Sequence, residues 1–178
     1  MHSLNKAALE LAHQEQSKTL GTLFEFLRFP SVSTEPNRKE DMVNTAKWLA
    51  HLLDQIGMTR SQIFPTNGHP LVYSEYKCEN LDAPTVLIYG HYDVQPADPL
   101  ELWQSDPFIP EIRGENLFGR GASDMKGQVI ATIKAVEAVL KIGPAPVNIK
   151  YILEGEEEIG SPNLDPFLKE HKDLLACD

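Results

Sequence analysis

Cysteine is scarce. Only two occur in 178 residues, Cys78 and Cys177, far apart and without the paired spacing of a zinc ribbon or a disulfide framework, so both read as free thiols. Positive charge is also in short supply: 16 Lys and Arg face 26 Asp and Glu, for a formal net charge of -10. Binding to a phosphate backbone needs clustered cations to displace counterions, so nucleic acid is not the expected partner. No long apolar run is present. The opening "MHSLNKAALELAHQEQ" carries neither a secretory signal pattern nor a membrane span, so no membrane association is expected and the cytoplasm is the expected compartment. Repeats and low-complexity tracts are missing as well. What remains is ordinary globular usage, with 42% hydrophobic and 24% charged residues, enough chain for one domain with a real core and too little for a second complete one.

Periodicity then lays out the elements. Leu20, Leu23, Phe24 and Leu27 follow the spacing of one helix face, and Pro30 ends the pattern. Leu49, Leu52, Leu53 and Ile56 repeat it before Gly57, a good stop. "TNGHP" signals a turn and "LVYSEYK" a strand. "TVLIYGHYDV" is a nearly continuous apolar run, which suits a strand buried on both faces of a sheet. A Pro-rich stretch from Pro96 to Pro110 reads as surface loop. Beyond it, Val129, Ile133, Val136 and Leu140 are helical in spacing, Gly143 and Pro144 stop that helix, and "VNIKYILEG" supplies another strand. Strands alternating with helices argue for an α/β fold with a mixed, largely parallel sheet and helices on both faces.

Three polar clusters sit just after apolar strands or just before a helix, where α/β proteins build their sites. In "GHYDVQP", His91 and Asp93 are two apart, so in extended chain both side chains face one pocket, and the Asp can orient a ligand imidazole. A partly buried His hydrogen-bonded to an ordinary Asp is the plainer reading. His2, His13, His51, His69 and His171 lack comparable surroundings and read as surface or packing residues. In "GRGASDMKG", glycines surround Asp124 and let the backbone hold a carboxylate rigidly ahead of a helix. That Asp could simply cap the helix, or its two oxygens could bridge two metal ions about 3.5 to 4 Å apart. The spacing is neither a phosphate-binding fingerprint nor a GxSxG elbow at Ser123. In "YILEGEEEIGS", Glu154, Glu156, Glu157 and Glu158 crowd together. Such a run can be a solvated helix start, or one carboxylate can hold a cation while its neighbour serves as general base.

Taken in order, "GHYDVQP", "GRGASDMKG" and "EGEEEIGS" resemble the signature of the co-catalytic zinc peptidase family of carnosine dipeptidases, aminoacylases and succinyl-diaminopimelate desuccinylase. The run from Tyr89 to Gln128, with "WQSDPF" and "LFGRGASDMKG", is most similar to the carnosine dipeptidase-like branch, and the resemblance extends from about residue 20 onward. It implies metal ligation by His91, Asp124 and Glu158, with Asp124 as the bridge, Asp93 orienting His91, and Glu157 as general base. Glu154 and Glu156 would then be flanking residues. It also implies two zinc ions, with manganese or cobalt equally suited, and amide hydrolysis of dipeptides or small peptides by metal-activated water. Deacylation of N-acyl amino acids shares all three motifs and stays open, as does a non-catalytic remnant that folds and binds a partner. A cis peptide bond between Asp124 and Met125 is a further implication.

The family pattern is more than twice as long. The resemblance implies a further acidic ligand a little beyond Asp178, a distant histidine, and a lid domain that binds substrate and forms a homodimer. Residues 1–178 are accordingly expected to be the N-terminal part of the catalytic domain, inactive on their own.

Overall fold

The helix that ends at Gly57 shows how local sequence builds this fold. Met42, Ala46, Leu49 and Leu53 are fully buried along one face of α3 (Lys39–Gln55), and Gly57 follows with φ +99°, a left-handed conformation that costs a glycine nothing. The structure is a computed structural model and describes residues 2–178, the side chains of residues 2–4, that of His2 among them, lying outside the described part. Ahead of α3 come α1 (His2–Gln14) and α2 (Gln16–Leu27); after it come β1 (Arg60–Phe64), β2 (Leu71–Tyr76) and β3 (Thr85–His91). A short hairpin follows, β4 (Glu111–Arg113) with β5 (Asn116–Phe118), and then α4 (Lys126–Ile142), β6 (Asn148–Glu154), α5 (Leu164–Glu170) and α6 (Lys172–Leu175).

The main sheet has the order β1-β2-β6-β3. It is mixed, but the expectation of a largely parallel sheet is corrected: only β3 and β6 are parallel, while β1 with β2 and β2 with β6 run antiparallel. Chain length explains this. Residues 65–70 are too few for a crossover, so β1 and β2 must turn back on each other, whereas α4 supplies the long crossover that β3 and β6 require.

Helices do cover both faces. On one, α2, α3 and α4 bury Phe26, Leu49 and Ile133 against Ile149, Tyr151 and Leu153 of β6. On the other, Phe167 of α5 and Leu175 of α6 close over Leu71, Tyr73 and Ile152. Alternate residues of β6 thus feed opposite cores, which makes it the doubly buried strand. That place was expected for "TVLIYGHYDV", yet β3 lies at the sheet's edge, with Val86 and Tyr89 each 46% exposed. An apolar run says that a strand is partly buried; its neighbours decide whether it is central.

Four features escape periodicity: α1, β1, the hairpin and the two short helices. α1 packs on α4, and Glu15 just beyond it pairs with Lys141 at 2.7 Å. The stretch from Pro96 to Pro110 is mainly loop with one short 3-10 turn, Leu100–Leu102. It is pinned where the Trp103 indole N–H donates to the Ala97 carbonyl at 2.9 Å. Both cysteines are free. Among the described residues no helix is long and apolar enough to cross a membrane.

Candidate metal centre

Because β3 and β6 are parallel, they end at the same edge of the sheet, with His91 beside Glu154 in register. The two motif segments therefore leave the sheet side by side. Past His91 the chain stays extended: Tyr92 and Val94 are fully buried, the Val94 N–H donates to the Ser31 carbonyl at 2.9 Å, and the Tyr92 N–H donates to the Glu154 carbonyl at 2.8 Å. With residues 92 and 94 turned into the core, 91, 93 and 95 turn the other way. Gly155 permits the close approach of the two segments, since a Cβ there would stand 2.5 Å from the Tyr92 ring.

Asp93 is the hub. Fully buried, it accepts the Glu157 N–H on one carboxylate oxygen at 3.2 Å and the Glu158 N–H on the other at 3.0 Å. His91 Nδ1 lies 3.0 Å from the Asp93 main-chain carbonyl and 3.3 Å from the first of these carboxylate oxygens. Asp93 thus fixes the ring through its carbonyl and carboxylate, and through the carboxylate the turn that carries both glutamates. The opposite ring nitrogen, Nε2, lies 3.2 Å from Asp124 Oδ1 and 3.7 Å from Glu157 Oε2. His91, Glu157 and Glu158 can each present one donor atom within 4.8 Å of the others. All five residues singled out in the sequence meet at one place, and Asp124 joins the group through its contact with His91.

Charge accounts for the state of the ring. Burial works against the imidazolium, but the hydrogen bonds and charge of Asp93, with the charge of Glu157 added, more than offset it and raise the His91 pKa to about 9. In a metal-free protein the proton on His91 is the cation that these carboxylates share. Asp124 arrives from the start of α4 with its side chain 74% exposed. It does not cap that helix: Met125 occupies the cap position, and no side chain bonds there. The Asp124 to Met125 peptide bond is cis.

Glu154 and Glu156 are not mere flanking residues. Both are buried. Glu154 accepts the Tyr89 hydroxyl at 2.6 Å and the Ser161 hydroxyl at 2.9 Å. Glu156 accepts the His69 N–H at 3.1 Å and the Asn163 side-chain amide at 2.7 Å. His69 in turn places Nε2 3.0 Å from the Ser33 carbonyl, and His171 packs on Phe64 and Phe167, so both are packing residues.

Two residues of the motifs passed unnoticed in the sequence. Lys126 is fully buried and donates to the carbonyls of Phe26 at 3.1 Å and Phe29 at 2.7 Å, tying the end of α2 to the start of α4. Burial drives its pKa down to about 7 against the pull of Asp93. Nothing in the local pattern distinguishes such a lysine from a surface one. Gln95, by contrast, was detectable: its amide donates to Glu158 Oε2 at 2.7 Å, and the alternation that singles out His91 and Asp93 reaches it at the next step.

Known proteins are similar to this chain. The human Beta-Ala-His dipeptidase is 50% identical over 91 residues, covering 50% of this chain and 18% of its own. The succinyl-diaminopimelate desuccinylase of Xylella fastidiosa is 46% identical over 126 residues, covering 70% of this chain and 32% of its own. The crystal structure of human carnosine dipeptidase 1 superposes with a TM-score of 0.90 at 31% identity, covering 98% of this chain and 40% of that one. The chain therefore spans well under half the length of these relatives. The model of peptidase family M20/M25/M40 matches residues 87–177, the stretch from within β3 to just past α6 that carries His91, Asp93, Asp124, Glu157 and Glu158, and the chain belongs to that family.

Proposed function

We propose that these five residues form part of the metal centre of an amide-bond hydrolase acting on dipeptides. The observation that carries the reading is the Asp93 hub, which holds the His91 ring and the backbone of the glutamate turn where donor atoms of His91, Glu157 and Glu158 lie within 4.8 Å of one another. The donor set fits a divalent cation: neutral imidazole and carboxylate are ligands for zinc, and for manganese or cobalt in the same site. His91 and Glu158 would hold one ion each, and Asp124, with two oxygens on an exposed side chain, would bridge them.

Bound there, the ions would supply Lewis acidity toward the scissile carbonyl and toward the attacking water. The chain's own part is positional and acid–base. Asp93 holds the His91 ring through Nδ1 and leaves Nε2 for ligation. Glu157, anchored by its main chain yet 44% exposed at its side chain, is free to take the water's proton and return it to the leaving amine. Substrate class follows the relatives' printed activities, a Beta-Ala-His dipeptidase and a Cysteinylglycine-S-conjugate dipeptidase. The desuccinylase match supports a second reading, deacylation of an N-acyl amino acid.

Zinc titration of the chain tests the centre. Saturable binding lost in His91→Ala is the expected result, and a chain that takes up no zinc, manganese or cobalt overturns the reading. Turnover of dipeptides against N-succinyl amino acids, each beside a Glu157→Gln control, separates the two substrate classes.

A further inference from the structure

We infer that Gln95 is a positioning residue that sets the side-chain conformation of Glu158 and so selects which of its carboxylate oxygens is offered to a divalent cation. This rests on the metal centre proposed above.

Main-chain anchoring by Asp93 places the Glu158 backbone but leaves its three side-chain torsions open. Like charge from adjacent Glu157 pushes the Glu158 carboxylate away from the cluster. The Gln95 amide supplies the opposing hold. A carboxylate only accepts, so the amide must present its NH2 to Glu158 Oε2, and the 2.7 Å separation is that of a charge-assisted hydrogen bond. With Oε2 engaged, one oxygen of Glu158 stays uncommitted among the described residues.

Although Gln95 is exposed, its backbone is held on both sides. Val94 before it pairs with Val32 and donates to Ser31. Pro96 after it restricts Gln95 to extended conformations and accepts the Arg120 guanidinium on its carbonyl at 2.9 Å. The segment thus presents three polar side chains in alternation: His91 to ligate, Asp93 to orient the ring and the glutamate turn, and Gln95 to orient the glutamate carboxylate. Loss of an outer partner of this kind typically weakens metal binding about ten- to a hundred-fold.

The test compares the 178-residue chain with its Gln95→Leu variant by calorimetric titration with zinc chloride, by the visible absorption of bound cobalt, and by melting of the metal-free protein. The expected result is zinc affinity about ten- to a hundred-fold lower in Gln95→Leu, an altered cobalt spectrum, and an unchanged melting temperature. Equal affinities, with a wild type that does bind zinc, overturn the inference and leave the metal centre standing. Lower affinity accompanied by a lower metal-free melting temperature also overturns it, because the residue is then only structural. A wild type that binds neither metal overturns the centre itself.

Discussion

Glu154 and Glu156 end up buried and Glu157 and Glu158 more open to solvent, although all four lie within five positions and share one side chain. The first pair is buried, and each of its members accepts two hydrogen bonds from the protein. The second pair opens a 3-10 turn, Glu157–Ile159, where Asp93 holds the main chain and the carboxylates are left more open. Extended backbone sends residues 154 and 156 the same way; the turn then breaks the alternation. A buried carboxylate is stable here because its acceptors are satisfied. An open one keeps unspent acceptor capacity, which a metal site needs.

Removing a buried member should hurt folding most. Glu156→Leu strands the His69 N–H and the Asn163 amide, and urea denaturation is expected to show a loss of about 3 kcal/mol with zinc affinity unchanged. A variant as stable as wild type would erase the distinction between the pairs.

Glu158→Ala should do the reverse. Its side chain is only half-buried and its carboxylate bonds the exposed Gln95, so stability in urea stays within about 0.5 kcal/mol. Zinc affinity falls at least about a hundred-fold, roughly 2.8 kcal/mol, as titration calorimetry would measure. Retained affinity would move the ligand role to another glutamate.

Tyr89→Phe sharpens the buried side of the comparison. It deletes one of the two donors to Glu154, whose pKa is already raised by burial despite the lowering by Tyr89 and Ser161. A stability loss of about 1 kcal/mol at neutral pH is expected. That loss should shrink as pH falls and Glu154 takes up a proton, because the neutral acid needs the donor less.

The smallest effect separates the pairs electrically. Glu157→Gln removes one of the charges that raise the His91 pKa to about 9, so the imidazole titration followed by NMR in metal-free protein should move down, while Glu156→Gln leaves it in place. The same linkage predicts that zinc affinity climbs with pH until the ring has lost its proton near pH 9 and levels off above, since the metal must displace that proton. A flat affinity from pH 7 to 9 would remove His91 from the ligand set.

Much of this was legible beforehand, for identifiable reasons. The helices around Leu23 and Leu49, the strands at Leu71 and Tyr151, and the stop at Gly57 follow from side-chain period and glycine's backbone freedom, which are local properties. The placement of His91 and Asp93 at a strand end and of Asp124 just ahead of a helix was equally local in origin. β1 and the β4–β5 hairpin were not, being short elements with too few residues to display a period.

The sequence by itself determined where the chain turns, which faces are apolar, and which polar segments stand at the ends of apolar strands, because propensity and alternation act over a few residues. Only the tertiary structure decided that β6 and not β3 would be the doubly buried strand, since that depends on which strands lie beside it. Tertiary structure likewise sorted the four glutamates. Their chemistry is identical in sequence, and only the donors brought from residues 69, 89, 161 and 163, against the hub at Asp93, make two of them part of the core and leave two at the site.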